Sequence, residues 1–467
     1  MSKIFLPLIL SLAFSSVFAQ QEAIQRFLKA PALRHASVGI SVIRLADGKE
    51  VAAWQPDRSM VPASTLKALT TATSIRLLGA AYRIPTMVAY TGEINNSLLT
   101  GSLIIEGNGD PSLGSRYDKR GRDAFFSEMN DALRKAGIRK IAGGVIGDDR
   151  KLPEEGVMPG WLWEDLGNYY AAGIYGLNFG DNMFEIVLNT SRKGQQPTVA
   201  RIKPEIKGLK INNRLLDRAT TSDSAYIYGA PYEPVRYIYG AVPHTKAEFT
   251  IKGDLPNPPL QTAQFAADYL RAQGIACSRE PVSGRQLEAA GGGLATARKE
   301  LLTYYSQPLS NLIRQTNLYS LNLYAEGLLR QLSPQAPAAI QRMLRYWEEQ
   351  GLDTGGLFLY DGSGLSPSNR ITAGFLSNMM LKMKDDKAFV ASLPLAGTEG
   401  TVRTFLQGTP YAGKARLKSG YIKQVIGYTG YIEGKQKYAV TVLVNNASGS
   451  SRELRKAIEK LLTEMNL

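Results

Sequence analysis

The chain is poor in the residues that most often carry chemistry. Among 467 residues there are one cysteine, Cys277, and two histidines, His35 and His244. A single cysteine excludes an internal disulfide, a cysteine-based metal cage and a redox pair, so stability must come from burial, and neither a metal nor a cofactor is expected. Both histidines fall in strand-and-turn contexts, and there is no Gly-x-Ser-x-Gly segment, which argues against a Ser-His-Asp triad. Long apolar runs are also missing: no stretch reaches the roughly eighteen residues a membrane span needs. There is no internal repeat and no low-complexity tract.

The first nineteen residues read as a secretory signal, with Lys3 as the charged start, Ile4 to Phe14 as a short apolar run and Val17-Phe18-Ala19 as small residues for cleavage. The remainder is expected to be exported and periplasmic, soluble or membrane-peripheral, without a lipid-modified N-terminal cysteine. At 44% apolar and 21% charged residues it is ordinary globular protein, long enough for about three domains at ~150 residues each. The formal charge of +14 falls by one when Lys3 leaves and favours polyanionic partners. No nucleic-acid motif is present, so nucleic acid is not expected as a partner. Anionic wall polymer or a membrane surface fits an exported chain, and a soluble protein that is merely basic fits equally. Oligomeric state is not legible.

Residues 37 to 54 form two alternating stretches around an Asp-Gly turn, a predicted hairpin. Pro62 and Ala63 open a predicted helix that runs through Leu66, Leu69, Ala72, Ile75 and Leu78 until Gly79. Near the other end, Ala415 to Ser419, Val425 to Ile432 and Lys437 to Asn445 read as strands, followed by an amphipathic helix from Arg452 to Met465. Two strands from the start and three from the end would close one sheet. Between them, 81–299 is dominated by short strands with Gly and Pro turns, and 300–390 is helical over Leu309 to Arg330, Ala338 to Gln350 and Thr372 to Lys384.

Lysine is the remaining candidate base for a hydrolytic serine. Ser64 and Lys67 form the only Ser-x-x-Lys in the chain, and positions i and i+3 share one helix face. Such an amine acts as a base when burial and the helix terminus hold it neutral. Alone, the tetrad is as consistent with a surface helix turn. Ser320-Leu321-Asn322 places two polar side chains inside an apolar helical run, or on a solvated turn. Lys418-Ser419-Gly420 ends a predicted strand and is followed by more strand. A cation and a hydroxyl there, with a glycine that lets backbone approach, can hold a carboxylate; an edge-protecting lysine beside a turn is the plainer reading.

Ser-x-x-Lys, Ser-x-Asn and Lys-(Thr/Ser)-Gly in this order resemble the signature of penicillin-binding proteins and serine β-lactamases. The long separation of Ser64 from Ser320 and the runs Gly107-Asn-Gly-Asp-Pro-Ser-Leu, Gly147-Asp-Asp, Pro159-Gly-Trp-Leu-Trp-Glu-Asp, Asn322-Leu-Tyr-Ala-Glu, Asp361-Gly-Ser-Gly-Leu-Ser and Leu393-Pro-Leu-Ala-Gly-Thr-Glu-Gly are similar to the low-molecular-mass class C penicillin-binding proteins. These are D-alanyl-D-alanine carboxypeptidase/endopeptidases of peptidoglycan, inhibited by β-lactams.

The resemblance, over about residues 36 to 450, implies an α/β (α+β) fold of helices on a five-stranded antiparallel sheet. The penicillin-binding domain would comprise 20–80 and 300–467, with 81–299 as an inserted, mostly β accessory region of one or two nested domains. It implies Ser64 as acylated nucleophile, Lys67 as its base, and Ser320 and Asn322 as proton shuttle and aligner. Lys418 and Ser419 would hold the substrate carboxylate, with Gly420 permitting close backbone approach at the substrate-binding edge and the N–H groups of Ser64 and Tyr421 as oxyanion hole. Peptidoglycan peptides would be the substrate and β-lactams covalent inhibitors.

The chain departs from the pattern in three places. Ser419 stands where threonine is usual, Leu321 where aspartate is usual, and Pro367 where many relatives carry an arginine suited to the side-chain carboxylate of diaminopimelate. Lys423 is a candidate replacement for that cation, and Asp165 a candidate partner for the side-chain ammonium. Two rival functions remain from sequence: a serine β-lactamase, against which the long insert argues, and a catalytically idle peptidoglycan-binding scaffold, against which the complete motifs argue.

Overall fold

The computed structural model describes residues 19–190, 194–217, 220–243, 247–294 and 297–467. Nearly all of the expected signal segment and His244 lie outside these residues. Among the described residues, no helix is long and apolar enough to cross a membrane. The chain divides into two units, 1–81 with 309–321 and 336–467, and 82–308 with 322–335. Residues 300–308 and 322–335, expected within the 300–467 segment, group with the second unit.

The first unit is built on one sheet. Its strands are β1 (Ser37–Arg44), β2 (Glu50–Trp54), β3 (Ala415–Ile422), β4 (Val425–Glu433) and β5 (Lys437–Asn445). They lie in the order β3-β4-β5-β1-β2, all antiparallel. Both ends of the chain meet at the β5–β1 pair, where Ile40 faces Val442 and Val42 faces Val440. A glycine inside β3 did not end it at Ser419 as expected, because pairing continues through Tyr421↔Ile426 and Ile422↔Val425. Lys418-Ser419-Gly420 therefore sits within an edge strand.

Period-2 alternation gives the sheet two buried faces. Val38, Ile40, Val42, Val440, Val442 and Val444 pack against Leu454, Ile458, Leu461 and Leu462 of the C-terminal helix Ser451–Glu464. That helix begins with a capping box, Ser450 with Glu453. On the opposite face the Ser377 hydroxyl, from the helix Ala373–Met383, donates to Ser41 O at 3.0 Å.

Helix α1 (Leu66–Leu78) is buried at every position from Leu66 to Ile75. Such a helix is central rather than amphipathic. Its hydroxyls are satisfied by bonding back one turn, Thr71 to Lys67 O at 2.7 Å, Thr73 to Leu69 O at 2.8 Å and Ser74 to Thr70 O at 2.8 Å. Lys67 is carried into the interior with them. Gly79, at φ +86°, ends the helix as expected.

The continuous helix expected over Leu309 to Arg330 does not form. The chain runs as α2 (Leu309–Tyr319), breaks, and resumes as the helix Asn322–Leu332. Ser320 lies between them at φ +58°, a left-handed conformation that no helix interior accommodates. Buried Asn317 fixes α2 against α1, donating to Thr71 Oγ1 at 3.0 Å and to Ser392 Oγ at 2.8 Å.

The second unit is mostly β, as its short strands and turn signals predicted. A five-stranded sheet is ordered Val282–Ser283, Val145–Asp148, Leu103–Gly107, Pro85–Tyr90, Lys299–Tyr305. The helices Ala124–Lys135 and Pro258–Ala272 contribute Phe125, Phe126, Met129, Leu133, Ala263, Ala266 and Leu270 to the core beside it. A second core, around Phe184, Ile186, Ile227 and Ile238, lies under two three-stranded sheets.

Candidate active site

Ser64 sits in the one-turn helix Ala63–Thr65 that leads into α1. The turn is tight: Ala63 has φ +46°, and the Thr65 hydroxyl donates to Pro62 O at 2.7 Å. Left-handed backbone at a residue with a Cβ is costly and persists only where surrounding contacts enforce it. Those contacts are glycine contacts. A Cβ on Gly364 would lie 1.9 Å from Ala63 O, and one on Gly420 would lie 2.6 Å from Pro62 O and 3.1 Å from Ser64 N. The β3 edge and the 361–369 loop thus clamp the Ser64 turn from two directions.

One helical turn on, Lys67 is completely buried. Its Nζ is 2.8 Å from Ser64 Oγ and donates to Ser363 O at 2.6 Å. Ser363 is presented by a loop knotted around Asp361, whose carboxylate accepts Gly364 N–H at 2.7 Å, Ser366 N–H at 2.7 Å and Asn369 Nδ2 at 2.8 Å. The neighbouring Gly362 carbonyl accepts the Thr70 hydroxyl at 2.6 Å. Sequence reasoning quoted this run without giving it a role; its signal was an aspartate ahead of two closely spaced glycines.

Lys418, on β3, is also completely buried. Its Nζ donates to Ser320 Oγ at 2.9 Å and to Ser419 O at 2.7 Å. Burial, and then the charge of Lys67, hold the Lys418 ammonium well below its ordinary value. The break at Ser320 explains how its hydroxyl reaches Lys418: left-handed backbone turns the residue off the course of α2. Ser419 Oγ is 2.7 Å from Thr401 Oγ1, a hydroxyl pair that sequence reasoning missed. Tyr421 is 58% exposed, one residue past the glycine that meets the Ser64 turn.

The first unit therefore brings together Ser64, Lys67, Ser320, Lys418, Ser419, Gly420 and Tyr421. Asn322 and Asp165 belong to the second unit, where one residue joins them: Asn322 Nδ2 donates to Tyr170 O at 2.7 Å, and the Tyr170 hydroxyl donates to Asp165 Oδ1 at 3.0 Å. Burial holds the Asp165 carboxyl above its ordinary value. Lys423 lies on the exposed turn between β3 and β4, and Pro367 O accepts Arg370 Nη1 at 2.7 Å. His35 is exposed in the turn before β1.

The five-stranded antiparallel sheet with its helices is the penicillin-binding fold: the chain matches penicillin binding protein 4 from Haemophilus influenzae with a TM-score of 0.78 at 21% identity, over 92% of this chain and 95% of that one. Residues 20–465 match the model of the D-Ala-D-Ala carboxypeptidase 3 (S13) family, and the chain belongs to that family of peptidases. It is 25% identical over 450 residues to a D-alanyl-D-alanine carboxypeptidase of Actinomadura sp. (strain R39), covering 91% of this chain and 80% of that one. It is 24% identical over 432 residues to the D-alanyl-D-alanine carboxypeptidase DacB of Haemophilus influenzae, covering 89% and 87%.

Proposed function

We propose that the protein is an exported serine D-alanyl-D-alanine carboxypeptidase/endopeptidase that cuts peptidoglycan stem peptides and cross-links through an acyl-enzyme and is trapped by β-lactams. The observation that carries this reading is the pairing of two buried amines with two hydroxyls, Lys67 with Ser64 at 2.8 Å and Lys418 with Ser320 at 2.9 Å. Two full ammonium charges are costly in one buried site, so the pair shares protons and titrates together. A substrate carboxylate arriving at Lys418, Ser419 and Thr401 draws the positive charge to Lys418. Lys67 is left as the neutral base.

Lys67 then takes the Ser64 proton as Oγ attacks the carbonyl carbon of the penultimate D-alanine. The N–H groups of Ser64 and Tyr421 receive the developing oxyanion, each donor of this kind contributing roughly 3 to 4 kcal/mol. Collapse breaks the C–N bond, the proton returns through Ser320 to the leaving amine, and the terminal residue departs. Water, deprotonated by the same base, cleaves the ester and restores Ser64. With a β-lactam the broken C–N bond lies in a ring, so the amine stays tethered and the ester persists.

The test incubates the full mature chain with a fluorescent penicillin and with a pentapeptide stem, beside Ser64→Ala. The unaltered enzyme should take a stable label and release D-alanine, and Ser64→Ala should do neither. Absence of label and of released D-alanine from the unaltered enzyme would sink the reading, as would rapid turnover of nitrocefin. Cross-linked dimers beside monomeric stems separate endopeptidase from carboxypeptidase action.

A further inference from the structure

The second unit carries a surface that the proposed chemistry does not use. The strands Lys210–Leu215, Tyr226–Tyr228 and Val235–Gly240 form a three-stranded sheet with the last in the middle. Ile227, Arg236 and Ile238 point inward and are buried, so alternate residues point out. Register aligns the outward residues in two rungs, Asn212 with Tyr237 and Tyr228, and Arg214 with Tyr239 and Tyr226. Trp163, 60% exposed, lies against this face with its ring 6.4 Å from that of Tyr228.

Trp163, Tyr228, Tyr237 and Tyr239 line a groove of about 500 Å³. Clustered exposed aromatics of this kind mark an interaction surface. Its chemistry is selective. The groove lining is aromatic throughout, so it offers flat π faces of the sort that stack on the C–H face of a pyranose ring. Planar donors stand beside the rings in Asn212 and in exposed Arg214. Carboxylates act on Tyr226: burial, and then Glu164 and Asp165, hold its hydroxyl above its ordinary value. A rim of both signs suits hydroxyl groups, which donate and accept, and disfavours an anionic bilayer.

We propose that this sheet face is a platform on which a glycan strand lies, its sugar rings stacked on Trp163, Tyr237 and Tyr239 and its hydroxyls bonded by Asn212 and Arg214. The choice of a wall glycan as occupant rests on the reading of the enzyme as a peptidoglycan peptidase. The platform would hold the polymer whose peptides the first unit cuts, and so raise the local concentration of cleavable stems.

The experiment measures binding of peptide-free glycan strands to the full mature chain by calorimetry, with release of D-alanine from a soluble pentapeptide as a separate readout. The unaltered protein should bind, and the pair Tyr237→Ala and Tyr239→Ala should weaken binding roughly tenfold or more, as expected for two lost stacking rings. The pair Tyr237→Phe and Tyr239→Phe should restore it, and release from the soluble peptide should be the same in all three. No binding by the unaltered chain, or equal binding by the alanine pair, overturns the proposal. Self-association, or adhesion to anionic phospholipid vesicles, that is lost in the alanine pair while glycan binding persists also overturns it. Glycan binding by a chain that releases no D-alanine supports the platform and refutes the peptidase reading instead.

Discussion

At the scale of single residues, the site turns on two lysines that burial makes interdependent. Lys418 is held well below its ordinary value by desolvation and then by Lys67, so a proton gained by one disfavours a proton on the other. In the proposed mechanism a substrate carboxylate is then part of base activation as well as of binding. A pentapeptide with a C-terminal carboxamide should acylate more slowly, with the acid limb of its saturating acylation rate displaced upward by about one pH unit or more. Stopped-flow acylation of both peptides across pH 5 to 9 checks this. Superimposable limbs would show that the carboxylate does not move the shared charge.

At the scale of elements, the candidate site has two places where regular structure is interrupted or approached too closely for a side chain. Gly420 lets the β3 edge reach the Ser64 turn, and any Cβ there meets Pro62 O and Thr65 N below 3.0 Å. Gly420→Ala should displace the turn and lower the acylation rate about a hundredfold, the cost of disturbing one oxyanion donor. Labelling kinetics with a fluorescent penicillin measure it, and an unchanged rate would remove the β3 edge from the oxyanion site. Ser320 is the second place. Both Ser320→Ala and Ser320→Gly lose the hydrogen bond from Lys418, yet only alanine keeps a Cβ at φ +58°. Urea unfolding should find the glycine variant the more stable by about 1 kcal/mol.

Across the whole molecule, each unit has its own core and its own response to pH. In the second unit Asp110 is 2% exposed; its Oδ1 accepts Ser112 N–H at 2.8 Å and the Ser112 hydroxyl at 2.6 Å, while Oδ2 is buried without a hydrogen-bond partner. Burial pushes its carboxyl up to about 6. A folded-state value above the unfolded one means that the contribution of Asp110 is fully present below about pH 4 and is lost as pH rises through 6. Asp110→Asn removes that dependence. Its stability relative to the unaltered chain should improve by about 2.4 kcal/mol between pH 4 and pH 7, at about 1.4 kcal/mol per pKa unit, since part of the effect is already lost at pH 4. Urea titrations at the two pH values decide it, and a constant difference would show that Asp110 ionises normally.

The sequence by itself determined the parts of this protein that local rules govern. The hairpin around Asp47-Gly48, the strand set near the C-terminus, the stop at Gly79 and the pairing of Ser64 with Lys67 follow from side-chain period, turn chemistry and the i, i+3 geometry of one helix. Tertiary structure decided what depends on segments far apart in the chain. It broke the expected helix at Ser320, whose left-handed backbone at φ +58° separates α2 from the helix that begins at Asn322 although no glycine or proline marks the break. It carried β3 past Gly420, since pairing with β4 outweighs a glycine's weak strand preference. Only the fold could bring Ser363 O to Lys67 and Tyr170 O to Asn322, 296 and 152 positions apart in the chain. A hydrogen bond between residues hundreds of positions apart leaves no period in the sequence, and its existence depends on where separate cores place each backbone.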